Sequence, residues 1–253
     1  MAANESLFDL SGQTALVTGA SKGLGLGCAQ ALAQHGADVV LVARNGDDLE
    51  KAADGIRKLG RKADIVVADV TDSDAMKEAI AAAPALHILV NNAGTNIPEP
   101  FVDVTPDHFD TIMNINVRAA FFTAQAAAAR MIENGIKGSI INMSSQMGHV
   151  GSVNRTVYCA SKHAMEGMTK AMAVELAPDG IRVNSVAPTF IETPMTKPFF
   201  EDAAFKDSVL AQIPLGQVGQ IEDVGGAVVY LASPAAKMVT GSCLKVDGGW
   251  TAR

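Results

Sequence analysis

Seven short apolar runs, rich in β-branched residues, recur along this 253-residue chain with helical patterns between them. They are TALVT (14–18), ADVVLVA (37–43), ADIVVA (63–68), HILVNN (87–92), GSIINMSS (138–145), IRVNSVAP (181–188) and CLKV (243–246). Each run is continuously apolar and does not alternate with polar residues. A strand of that kind is covered on both faces, as in a parallel sheet. Helical patterns fall over about 24–35 and 46–58, from Asp74, over 106–134, from Tyr158 to about 177, and over 222–232. This alternation predicts an α/β fold in one domain over 1–253, a doubly wound sheet of seven mainly parallel strands flanked by helices. No linker, low-complexity segment or fixed-period repeat interrupts it.

Composition agrees and excludes several classes. The chain is 48% hydrophobic, with 23 Gly and only 5% aromatics. That supports a large core in which helices pack closely on a sheet. The net charge is −7 and no basic run stands out, so neither nucleic acid nor a membrane surface is an expected partner. No stretch of about 18 apolar residues predicts a membrane span. The N-terminal MAANESLFDLSG lacks a basic and an apolar region, so no signal peptide is expected. Cys28, Cys159 and Cys243 are scattered and odd in number. They suggest no disulfide framework and no metal, and point to a reducing, cytoplasmic setting. Cys159 reads as a small apolar filler. His35, His87, His108 and His163 have no partners at ligand spacing and read as surface or packing residues.

In open α/β sheets, ligands bind outside the carboxyl ends of the strands. The polar motifs fall there. The first strand runs into Thr18-Gly19-Ala20-Ser21-Lys22-Gly23-Leu24-Gly25. Glycines permit a close backbone approach, and the helix that follows offers N–H groups to a phosphate. After the fifth strand comes Ser144-Ser145. Then Tyr158-Cys159-Ala160-Ser161-Lys162 opens a helix, with Tyr158 and Lys162 one turn apart on one face. A free phenol titrates near pH 10, and a nearby ammonium lowers that value. The pair is therefore either a tuned acid/base or a core Tyr beside a Lys that reaches solvent.

TGASKGLG, Asn91-Asn92-Ala93-Gly94, a Ser after the fifth strand and YxxxK follow one another in the order of the classical short-chain dehydrogenase/reductases, and the chain resembles that family over nearly its whole length. The resemblance implies a Rossmann-like domain binding NAD(P). It makes Tyr158 the acid/base at a carbonyl or hydroxyl oxygen. Lys162 would lower its pKa and bind the nicotinamide ribose. It selects Ser145, thirteen residues ahead of Tyr158, to orient the substrate. Asn116 would complete a proton relay through a water on its backbone carbonyl. Phe109, Ile112, Asn116, Ala120 and Ala124 share an apolar stripe, whereas the competing Asn114 has more polar neighbours. The cofactor set is Gly19, Ser21, Lys22, Gly23, Leu24, Gly25, Arg44, Asp69, Val70, Asn92, Ala93, Gly94, Tyr158, Lys162, Pro188, Ile191 and Thr193. Asp69 would meet the adenine ring or else cap a helix. Ile191 and Thr193 would hold the carboxamide. The family's Pro-Gly is Pro188-Thr189 here, so either Gly's positive φ is not needed or the loop differs.

An acid ending the second strand would favour NAD. This chain has Ala43-Arg44 there, with Lys22 in the glycine turn. A guanidinium matches the 2′-phosphate of NADP. NADP(H) is the expected cofactor, with NAD(H) possible.

The loop QMGHVGSVNRTV should line the pocket. Its Gln146, His149, Asn154 and Arg155, with Phe190, are the substrate candidates. The polar ones suit a sugar, polyol or keto acid, whereas Met147, Phe190 and Phe199 suit an apolar ketone. Residues 189–217, with three Pro, read as a substrate lid. The leading expectation is an NADP-dependent enzyme interconverting a secondary alcohol and a ketone. Two others stand beside it: a 3-oxoacyl-thioester reductase and a non-catalytic NADP-sensing regulator. By resemblance the chain pairs its long helices into a homodimer and forms a homotetramer through the C-terminal region around Trp250.

Overall fold

The computed structural model describes residues 7–83, 85–194 and 196–252. The Phe199 side chain and residues 1–6 of the N-terminal stretch lie outside that set. Seven strands form: β1 (Thr14–Thr18), β2 (Asp38–Ala43), β3 (Ala63–Val67), β4 (Ile88–Asn91), β5 (Ser139–Met143), β6 (Arg182–Pro188) and β7 (Cys243–Val246). They lie in one sheet in the order β3-β2-β1-β4-β5-β6-β7. Every pairing is parallel.

The helices are α1 (Gly23–Gln34), α2 (Gly46–Arg57), α3 (Ser73–Ala82), α4 (Pro106–Met113), α5 (Ala120–Glu133), α6 (Thr156–Leu176), α7 (Ala203–Leu210) and α8 (Ile221–Ala232). They cover both faces. Ala15, Val17, Val39, Leu41, Ile88 and Val90 pack with α1, α2 and α8. The intervening Leu16, Val40, Val42 and Leu89 pack with α3, α5 and α6. Successive side chains point to opposite faces. Both registers are buried, and that is why the runs are continuously apolar. Gly27 shows how closely α1 meets α8: a Cβ there would stand 1.9 Å from Ile221 Cγ2.

One helix was expected over 106–134. The structure instead interrupts it with a π segment, Asn114–Ala119. Phe109 is exposed, so the stripe begins at Ile112. The irregular reading of 189–217 corresponds to a 3-10 turn, Lys197–Glu201, and the short α7. β2 and β3 lie to one side of β1, and β4 to β7 to the other, so the crevice between β1 and β4 is the switch point where a ligand fits.

Candidate active site

The glycine turn lies at this switch point. Gly19 and Gly23 have φ of +65° and +59°, where a side chain would strain the backbone. Gly25 is required by space: a Cβ would stand 2.3 Å from Gly19 O and 2.5 Å from Asn92 Nδ2. Asn92 Nδ2 donates to Thr18 O at 3.0 Å. The N–H groups of Asn92 and Ala93 both donate to Thr18 Oγ1, so the loop after β4 clamps the turn after β1. Lys22 begins α1 without a side-chain cap, which leaves the first N–H groups of the helix for a phosphate. Ser21 and Leu24 are half-buried beside it, and Lys22 is exposed. A Cβ on Gly23 would meet nothing nearer than Thr193 Cβ, at 4.0 Å. The turn is therefore an open cradle beneath Thr193, and it fits a dinucleotide pyrophosphate.

Beyond it, Arg44 Nη1 stands 3.9 Å from Asp69 Oδ2. Asp69 Oδ1 accepts from the N–H and hydroxyl of Thr71, and these bonds hold its carboxyl below the usual value, with a smaller pull from Arg44. Asp69 caps no helix, since Asp72 caps α3. A cavity of about 390 Å³ is lined by Asp69, Thr71, Thr111, Asn114, Ile115 and Arg118. Val70 packs against the core below. Ile115 and Arg118 were not read from the sequence, because the π segment sets which way they face.

On the other side of β1, the expected catalytic residues meet. Ser145 follows β5 and is buried; its Oγ donates to Gln146 Oε1 at 2.8 Å and accepts from the Met147 N–H. Tyr158, half-buried, and Lys162, 4% exposed, lie in the first turns of α6. Lys162 Nζ donates to Met143 O at 2.8 Å and lies 5.5 Å from the centre of the Tyr158 ring. A Cβ on Gly94 would stand 3.3 Å from Asn116 Oδ1 and 3.8 Å from Lys162 Nζ, so Gly94 keeps that corner open. Asn116 is fully buried. Its Oδ1 accepts from Thr95 N, and its Nδ2 donates to Thr95 O and to Ser161 Oγ. Ser161 Oγ in turn donates to Tyr158 O at 2.7 Å. The π segment presents Asn116 here, as such bulges often do at functional sites.

Burial pulls the Lys162 ammonium down to about 8, against a smaller upward push from Glu166. Burial also pushes the Tyr158 phenol up, opposed by its hydrogen bond with Ser145 and by the Arg155 guanidinium. The Arg155 guanidinium thus acts on Tyr158, while Lys162 donates one of its hydrogen bonds to Met143 O.

The substrate candidates separate. Gln146 is buried and holds the Ser145 hydroxyl. His149 follows the 3-10 turn Gln146–Gly148, and its Nε2 lies 3.2 Å from Cys243 Sγ on β7. Asn154 is exposed at φ +58°, and its carbonyl accepts from Glu99 N. Arg155 is half-buried, and its Nη1 has no hydrogen-bond partner. Glu99 Oε1 and Asn96 Oδ1 are likewise buried without partners, and sequence reasoning missed both. Phe190 packs against Phe200, Phe205 and Trp250, with ring centres 6.3, 5.8 and 5.9 Å away. Pro188 ends β6, and Thr189 N donates to Val246 O. Thr189 has no positive φ, so its loop does not require Gly. Ile191 is buried in a bridge to Gly219.

A phosphate cradle at the switch point, beside the buried Ser145 and Lys162 and the half-buried Tyr158, is an arrangement that suits a nicotinamide-dependent oxidoreductase. A family model described as Enoyl-(Acyl carrier protein) reductase matches residues 19–251. Gluconate 5-dehydrogenase of Gluconobacter oxydans (strain 621H) is 41% identical over 249 residues, 97% of either chain. L-xylulose reductase of Mus musculus is 40% identical over 96% of this chain and 98% of its own. A gluconate 5-dehydrogenase from Burkholderia cenocepacia J2315, solved in complex with NADP and tartrate, superposes with a TM-score of 0.93 at 37% identity, covering 97% of this chain and 98% of that one. The chain belongs to the short-chain dehydrogenase/reductase family and is an NAD(P)-dependent enzyme acting on CH–OH groups. No helix among the described residues is long and apolar enough to cross a membrane.

Proposed function

We propose that this protein is an NADP-dependent oxidoreductase that interconverts a secondary alcohol and a ketone on a small polar substrate, a sugar, polyol or keto acid. The observation that carries the reading is the meeting of Ser145, Tyr158 and Lys162 beside Gly94, at the carboxyl ends of β4 and β5. Relatives named for gluconate and xylulose, and neighbours solved with NADP, support the substrate class and the cofactor.

NADP(H), when bound, supplies the hydride chemistry. Gly19, Gly23 and Gly25 leave room for its pyrophosphate. Arg44 and Lys22 meet the 2′-phosphate, and Asp69 and Val70 border the adenine. Asn92, Ala93 and Gly94 line its path, and Pro188, Ile191 and Thr193 close over the carboxamide. Ser145 donates to the substrate oxygen and steadies the charge that develops there. Tyr158 gives or takes the proton at that oxygen. Lys162 holds the ribose and, through the Asn116 corner, passes the proton on. Arg155 faces a carboxylate or hydroxyl of the substrate, with its unpartnered Nη1 as support.

In this reading residues 1–253 form one catalytic domain whose segment 189–217 is the substrate lid. The chain works in the cytoplasm as a homodimer or homotetramer. The test is loss of NADPH absorbance, with NADH in parallel, over keto sugars, keto acids, diketones and acetoacetyl thioesters. Turnover confined to the thioesters would favour the 3-oxoacyl reading. NADPH binding without turnover on any class would favour the regulator.

A further inference from the structure

Behind the catalytic residues, three side chains with metal-binding atoms meet between α6, β6 and β7. His149 Nε2 lies 3.2 Å from Cys243 Sγ and 3.6 Å from Glu166 Oε1. The three donor atoms all lie within 4.8 Å of one another. The fold brings them together from a loop, a helix and a strand, so no sequence spacing announces them.

The surroundings favour a cation. Glu166 is 6% exposed, and among the described residues its one ion-pair partner is His149. Glu166 also pushes the buried Lys162 ammonium upward, so it carries its negative charge inside the protein. Ser185 Oγ lies 2.9 Å from one carboxylate oxygen and 3.1 Å from the other, and it fixes their direction as an outer-shell donor does. Leu244 and Val246 pack on the opposite core. By alternation, Cys243 therefore presents its sulfur to the α6 face. His149 and Cys243 are half-buried, which gives an ion a way in.

We propose that His149, Glu166 and Cys243 bind a zinc ion, with water or Ser185 Oγ in the fourth position. Zinc takes sulfur at about 2.3 Å and nitrogen or oxygen at about 2.0–2.2 Å, which sets tetrahedral donors roughly 3.5 Å apart. Imidazole and thiolate are donors that suit it. On binding, the zinc–sulfur bond forms as the S–H bond breaks, and the proton leaves to solvent. No electrons are transferred. The thiolate and carboxylate balance the ion's charge. The centre is then neutral toward the nearby Lys170, Lys245 and His163, whose charges His149 feels. The ion would tie the loop after Ser145 to β7, stapling one wall of the catalytic cleft.

The test uses the full chain without an added tag, stripped with a chelator and dialysed against zinc ions alone. Zinc should bind at one ion per chain and raise the unfolding temperature. Its affinity should fall on the order of tenfold to a hundredfold in Cys243→Ser and in Glu166→Gln. Glu166→Gln keeps the shape of the side chain, so it reads the site even where Cys243→Ser fails to fold. Cobalt ions in place of zinc should give a thiolate-to-cobalt charge-transfer band. Equal zinc binding by the native chain and both variants, or a cobalt form without the thiolate band, overturns the proposal.

Discussion

Asn116 donates from Nδ2 to Ser161 Oγ at 3.0 Å, and Ser161 passes the contact to the Tyr158 carbonyl. The π segment and the turn carrying Tyr158 are thereby one hydrogen-bonded unit, and Ser161 joins them inside the YCASK stretch. Ser161→Ala leaves one Asn116 donor buried without a partner. It should cost about 1–3 kcal/mol of stability, read by denaturant unfolding. It should also lower kcat more than it raises KM, because the group displaced is the proton donor. Wild-type stability would show that the pair is incidental.

Gly25→Ala puts a methyl against Gly19 O and Asn92 Nδ2. Overpacking of this kind costs about 1–3 kcal/mol. The displaced turn should also weaken NADPH binding, measured by fluorescence titration. Unchanged affinity would mean that the turn does not shape the cofactor site.

Arg155 pulls the Tyr158 phenol down while burial pushes it up. Removing the guanidinium therefore raises the phenol further. In the oxidation direction Tyr158 acts as phenolate, so activity rises with pH through its pKa. Arg155→Met should shift that rising limb to higher pH, and should raise KM more for acidic than for neutral substrates. A limb that stays in place would remove Arg155 from the acid/base system.

Arg44 is exposed and pairs only weakly with Asp69, so its replacement should leave stability unchanged. Arg44→Ala should raise KM for NADPH roughly tenfold to a hundredfold, the worth of a charge-assisted contact, and leave NADH nearly unaffected. An unchanged preference between the two would place the 2′-phosphate elsewhere.

The strands were legible because both of their faces are buried. Val39, Val40, Leu41 and Val42 fill both layers in turn, which no alternating pattern could mimic. Glycine positions were legible too, since Gly19 and Gly25 meet demands that a local motif carries. Side-chain direction in the loops was not. His149 and Arg155 sit in one polar loop, yet the first meets Cys243 of β7 while the second acts on Tyr158. The π segment was hidden because Asn114–Ala119 reads as ordinary helix. The effect of burial on Lys162 was hidden as well: spacing showed a Lys near a Tyr, but not that its ammonium donates a hydrogen bond to Met143 O.

The central claim is that Tyr158 handles the proton at the substrate oxygen. Tyr158→Phe removes one hydroxyl and keeps the ring. Its kcat should be measured with NADPH on whichever keto substrate the native chain turns over, beside an NADPH titration. A fall of roughly a hundredfold to ten-thousandfold with cofactor binding intact is the predicted result. Turnover near the native rate would contradict the account.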